Sequence, residues 1–224
     1  MCGRYSWAQN KAHSFSKSLQ LVPHPPSVSY NRAPGQNHPI ITLIGNSSDW
    51  EFAKWGFVSG ADNSKNFSKP INARIETVLE KPIFQNSVLN HRCLIPADGY
   101  FEWQRIENQK YPHFHYLTNR EDFAMAGIWN KQTSIKKIEK SFAILTKQAE
   151  SNISHIHNRM PVILSSKDWE EWLSPTVKIH QLLSRYSQNT QTLEFHQVSS
   201  RINGVNIDGV ELLEKFSEKQ STLW

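Results

Sequence analysis

Along much of the chain, apolar residues fall in short runs rich in β-branched and aromatic side chains, each bounded by Asn, Gly, Ser or Pro. That pattern predicts strands over residues 40–44, 50–58, 92–106, 111–117, 123–129 and 142–146. The short polar stretches 107–110 and 119–122 read as hairpin loops. Apolar positions three or four apart predict helices over about 7–20, 73–79, 167–173 and 177–186. In the first, Trp7, Phe15 and Leu19 share one side, and Pro23, Pro25 and Pro26 end it; Ser166 is placed to cap the third. Trp169 and Trp172, at i and i+3, read as one helix face packed on a sheet. Strands with interspersed helices, and neither a repeat nor a long linker, predict an α+β fold. The expected architecture is a single domain over 1–215, with a curved, largely antiparallel, barrel-like β-sheet and flanking helices, and a tail over 216–224.

Composition narrows the class. The 224 residues are 38% hydrophobic and 20% charged, too apolar for a disordered chain and too polar for a membrane protein. No apolar run approaches a membrane span, and no secretory signal opens the chain, so a cytoplasmic protein is expected. Two cysteines are too few for a disulfide framework. A net charge of +5 suits an anionic partner without requiring one.

Four segments carry candidate chemistry. Met1-Cys2-Gly3-Arg4 would, on loss of Met1, leave Cys2 with a free α-amine beside its thiol. Such an aminothiol can attack a carbonyl through sulfur, or condense with an aldehyde through nitrogen and close a thiazolidine through sulfur. In Pro96-Ala97-Asp98-Gly99-Tyr100-Phe101-Glu102-Trp103, a strand, a turn at Asp98-Gly99 and a second strand would set Glu102 amid large aromatics. There desolvation would raise its pKa for acid–base work. His155-Ile156-His157-Asn158-Arg159-Met160-Pro161 joins imidazole to guanidinium, and Asn72-Ala73-Arg74 joins an amide to a guanidinium.

Together with YNRAPGQ at 30–36, WGF at 55–57, AGIW at 126–129 and VSSRIN at 198–203, these segments resemble the SOS-response-associated peptidase family, whose members shield abasic sites in single-stranded DNA. The resemblance implies that Cys2 is the crosslinking nucleophile, forming a thiazolidine with the ring-opened sugar aldehyde. It implies that Asn72 positions the Cys2 amine, and that Glu102 is the acid–base group that also assists Met1 release and crosslink reversal. His157 would handle protons on the opened sugar. Arg74 and Arg159 would clamp phosphates, Pro34 and Trp103 would wedge against bases, and Arg4 and Thr146 would contact DNA. The implied partner is single-stranded DNA containing abasic sites, with the protein nucleoid-associated when bound. No cofactor, metal, membrane or obligate protein partner is implied.

The chain departs from the family pattern at two places. Ser59, Gly60 and Ala61 follow the WGF string where the family continues to Pro and Trp, and the segment before the histidine retains only Thr146 and Ala149 of its usual pattern. Other readings of the same residues are an N-terminal-cysteine amidase or peptidase acting on a small substrate, a noncovalent single-strand binder, and a metal hydrolase. The last would use His113 and His115, or His155 and His157, each pair at i and i+2; His113 and His115 otherwise read as a polar strand face. Lysines 131, 136, 137 and 140 mark a solvated hairpin tip.

Overall fold

The computed structural model describes residues 2–8, 12–21, 28–59, 69–133 and 138–217. Met1, the proline cluster, Gly60, Ala61, Lys136, Lys137 and residues 218–224 lie outside them. In chain order the elements are β1 (Arg4–Trp7), α1 (Ala12–Leu19), β2 (Ser29–Arg32), β3 (Asn37–Ile44), β4 (Ser47–Trp55), β5 (Asn72–Arg74), α2 (Pro82–Asn90), β6 (Arg92–Ala97), β7 (Gly99–Ile106), β8 (Gln109–Leu117), β9 (Phe123–Thr133), β10 (Ile138–Gln148), β11 (Arg159–Pro161), β12 (Ile163–Leu164), α3 (Trp169–Leu173), α4 (Ile179–Gln188) and β13 (Leu193–Gln197).

Five of these strands close a ring. β10 pairs with β4, β4 with β3, β3 with β6, β6 with β9, and β9 returns to β10; only the β10–β4 pair is parallel. Because successive strand side chains point to opposite faces, the ring sorts its apolar residues into two clusters. Ile40, Ala53, Trp55, Cys93, Ile95, Met125, Phe142 and Ile144, drawn from all five strands, meet in one cluster that fills the interior. Ile41, Leu94, Ala126, Ile128, Ala143 and Leu145 face outward and are covered by α2, α3 and α4. Trp169 and Trp172 belong to this cover as expected, and Trp172 Nε1 donates to the Cys93 carbonyl at 2.9 Å. A second, open sheet runs β13-β8-β7-β1-β2, antiparallel throughout.

The predicted strand 92–106 is two strands belonging to different sheets, β6 in the ring and β7 in the open sheet, with the change of direction at Asp98. Gly99 is needed there because an added Cβ would lie 2.2 Å from the Phe114 ring. Three other expectations are corrected. Trp7 ends β1 rather than entering a helix, because its strand pairs with both β2 and β7. Residues 72–74 are strand because they find a parallel partner in β10, and the following helix starts only at Pro82, a proline suited to the first turn. Ser165, not Ser166, opens the turn before α3: its N–H and hydroxyl both reach Asp168 Oδ2.

Candidate active site

Cys2 sits just ahead of β1, and the pairing of Arg4 with Phe101 brings the start of the chain alongside β7. The Cys2 side chain is fully buried in the interior cluster with Tyr5 and Tyr100. Asn72, the first residue of β5, donates from Nδ2 to the Cys2 carbonyl at 2.9 Å, and the parallel pairing of Asn72 with Ile144 of β10 fixes where that amide stands. The Asn72 Oδ1 is buried without a hydrogen-bond partner among the described residues. Glu102 is only 3% exposed. Burial pushes its carboxyl up to about 7. The Cys2 thiol is pushed well above its ordinary value, first by burial and then by the negative charge of Glu102, so the two groups sense each other directly.

Glu102 is buried as the sequence predicts, but not by the residues flanking it in the chain. Phe101 and Trp103 point to the opposite face of β7, into a cluster with Phe114, Val198 and Ile202. Glu102 shares its face with Tyr100 and lies across from His113. Beside them His115 is stacked on the Tyr100 ring at 4.8 Å and on Phe195 at 5.7 Å. His113 and His115 are therefore buried, not a polar strand face, and burial lowers the pKa of His115 to about 3. Among the described residues no group of three or more His, Cys, Asp or Glu side chains is placed to hold a metal ion.

A second group lies at the edge of this chamber, where β5 and β11 flank β10. Arg74 is opposite Thr146, and Arg159 is opposite Gln148. His157 Nδ1 lies 2.9 Å from the Arg159 N–H, which donates to it when the ring proton is on Nε2, and 3.2 Å from the Arg159 carbonyl. Burial lowers the His157 pKa, which keeps the neutral ring dominant near neutrality. The Arg159 guanidinium grips Glu76 with two 2.8 Å hydrogen bonds and the Thr146 carbonyl with a third of 2.6 Å. Thr146 itself is buried, its hydroxyl directed at the Ala73 carbonyl at 3.5 Å.

Arg4 and Trp103 stand apart from both groups. Arg4 donates to Asn31 Oδ1 at 2.8 Å and to the Ile202 carbonyl at 2.6 Å, while the Trp103 indole N–H donates to Asn203 Oδ1 at 2.9 Å. Both are thus tied to the loop formed by the VSSRIN segment. Pro34 is half-buried in the turn after β2, the strand next to β1. Sequence reasoning missed Glu76, Tyr100 and Asn203. Only the Arg74-x-Glu76 spacing, which puts two charges on one side of an extended segment, offered a signal.

The chain is similar to curated relatives along most of its length. A protein of Bacillus subtilis, named abasic site processing protein YoqW, is 36% identical over 96% of this chain and 99% of its own length. YedK of Escherichia coli, also named an abasic site processing protein, is 26% identical with the same coverage. HMCES of Gallus gallus, likewise so named, is 30% identical over 83% of this chain and 65% of its own length. A crystal structure of a Bacteroides thetaiotaomicron protein, 22% identical, superposes with a TM-score of 0.81 over 96% of this chain and all of that one, a likeness of fold alone. The family model described as SOS response associated peptidase (SRAP) matches residues 1–205, and the chain belongs to that family.

Proposed function

We propose that this protein processes abasic sites by capturing them covalently in single-stranded DNA through Cys2. The observation that carries the reading is the meeting of buried Cys2 and Glu102 with Asn72, whose strand β5 leads within two residues to Arg74 and lies beside β10, across which Arg159 stands. The names of the relatives, abasic site processing proteins, support the choice of substrate.

The chemistry balances as follows. Hydrolysis of the Met1–Cys2 peptide bond frees the Cys2 amine. The amine adds to the aldehyde carbon of the ring-opened sugar, and the carbinolamine loses water to give a protonated imine. The thiol then adds to the carbon of the protonated imine, its proton returning to the Glu102 carboxylate, and the thiazolidine ring closes; the net change from aldehyde and aminothiol is loss of one water. Glu102, neutral up to about pH 7, can protonate the departing hydroxyl and afterwards accept the thiol proton. Asn72 holds the Cys2 carbonyl and so fixes the amine's direction of approach. A thiol whose pKa is raised by burial is a poor acyl nucleophile at rest, which favours the amine-first aldehyde trap over an amidase.

Intact-mass analysis after incubation with an abasic oligonucleotide tests the reading. The expected product has the mass of the protein without Met1, plus the oligonucleotide, minus one water. An adduct of equal yield from Cys2→Ala would overturn it.

A further inference from the structure

The most strongly bound cation at the rim is Arg159, and it is not open to a ligand. Of its five N–H donors, two are taken by the Glu76 carboxylate oxygens at 2.8 Å, one by the Thr146 carbonyl at 2.6 Å, and the Nε–H is buried without a partner among the described residues. One donor remains, and the charge is neutralised. A forked carboxylate has the shape of two phosphate oxygens, so Glu76 fills the position a backbone phosphate would need.

Glu76 also lies within the field of Arg74, two residues before it on the same exposed side. Against the upward pull of desolvation, the hydrogen bonds from Arg159 and the charges of Arg159 and Arg74 hold the Glu76 carboxyl below its ordinary value. The Arg159 guanidinium thus holds this anion by two hydrogen bonds, and the Arg74 charge two residues away adds a weaker attraction. The two partners of the ion pair are not equally buried: the Arg159 side chain is 13% exposed and that of Glu76 is 41% exposed. Arg159 is anchored by Thr146 and by β11, whereas Glu76 follows β5 in a turn and can swing into water. An exposed ion pair is weak, so a polyanion can displace the carboxylate.

We propose that Glu76 is an internal stand-in for a DNA phosphate: it occupies the Arg74–Arg159 anion site in the unbound protein, and a backbone phosphate of the bound strand replaces it. The proposal rests on the DNA-binding reading above and makes Glu76 a determinant of how strongly, and at what salt concentration, a strand is held. The carboxylate competes equally with any sequence, so its removal strengthens binding without changing sequence preference.

The test measures affinity for a fluorescein-labelled thymidine oligonucleotide lacking abasic sites, over a range of salt concentrations. Glu76→Gln is expected to bind about two- to five-fold tighter, the size of one exposed ion pair, with a salt slope steeper by about 0.7, one further single-strand phosphate contact. Glu76→Asp, one methylene shorter, should move the same way by less. Glu107→Gln in the β7–β8 hairpin makes the same change in net charge away from the rim and should reproduce neither effect. In an Arg159→Ala background the gain from Glu76→Gln should vanish. Equal or weaker binding by a Glu76→Gln protein with an unchanged melting temperature overturns the proposal, as does a gain no larger than that of Glu107→Gln. If Glu76→Gln does not fold, Glu76→Asp decides by the same criteria. Wild-type protein that binds and crosslinks DNA while these variants fail refutes the stand-in alone; wild-type protein that binds no oligonucleotide at any salt refutes the DNA reading with it.

Discussion

Cys2 and Glu102 sit where water is excluded, with half-buried Asn72 beside them, whereas Arg74 and Glu76, only a few residues along β5, are exposed to it and hold half-buried Arg159 at the surface across β10. In the chamber, desolvation dominates every charge: it lifts the Glu102 carboxyl to about 7 and raises the Cys2 thiol further. At the rim, pairing dominates, and Glu76 is held below its ordinary pKa despite some burial. The same residue type, glutamate, is therefore a proton donor near neutrality in one place and a fixed anion in the other. Asn72 and Arg74 make the transition within three residues, because β5 runs from the interior outward. Chemistry and affinity should accordingly separate: chamber variants should change rates, and rim variants should change binding.

The largest separation is expected for Glu102→Gln, which keeps the shape of the side chain and removes its titration. Crosslinking, its reversal, or both should slow by about 10²–10⁴, with single-strand affinity nearly intact. Equal losses in affinity, rate and melting temperature would instead make Glu102 part of the scaffold.

The same variant should expose a pH signature. The folded pKa of Glu102 lies above the ordinary glutamate value, so the neutral form is the one burial favours. Its contribution to stability is complete below about pH 4 and is lost as pH rises through about 7. Over that interval wild-type protein should lose about 3 kcal/mol relative to Glu102→Gln. Chemical denaturation at pH 4.5 and pH 8 measures the difference; parallel behaviour of the two proteins contradicts it.

Asn72→Ala removes the hydrogen bond to the Cys2 carbonyl and should cost about 1 kcal/mol of stability and about tenfold in crosslinking rate, read by denaturation and single-turnover kinetics. Arg74→Ala should spare the chemistry at saturating DNA, weaken binding to all sequences alike, and flatten the salt slope by about 0.7. A sequence-selective loss would show that Arg74 reads bases. The smallest effect is expected at Asn203→Ala, which frees the Trp103 indole edge. An exposed hydrogen bond contributes about 0.5–1 kcal/mol, so affinity should fall less than about fivefold, and an unchanged affinity would separate Trp103 from the DNA path.

Strand periodicity and the Met1-Cys2 start were legible in the sequence, because each depends on spacing within a few residues, whereas the strings around Asn72, Glu102 and His157 took their meaning from the family they jointly resemble. They sufficed for an α+β fold with a curved sheet and for the residues of the chamber. Burial of Glu102 was legible too, but its cause was not: alternation turns Phe101 and Trp103 away, and Tyr100, Cys2 and the β8 face, remote in sequence or on the other side of the strand, do the burying. Weak local signals such as those of β1, β5 and β11 escaped because short strands owe their existence to partners far along the chain, as β5 owes its to β10. The closing of β10 onto both β4 and β9, the split of 92–106 between two sheets, and the pairing of Arg159 with a glutamate 83 positions away were likewise decided only in three dimensions. Local sequence fixes which face a side chain takes and what chemistry it carries; the neighbours that set its hydration and its charge arrive from distant segments, and here those neighbours separate a glutamate that can give up a proton from one that holds an arginine.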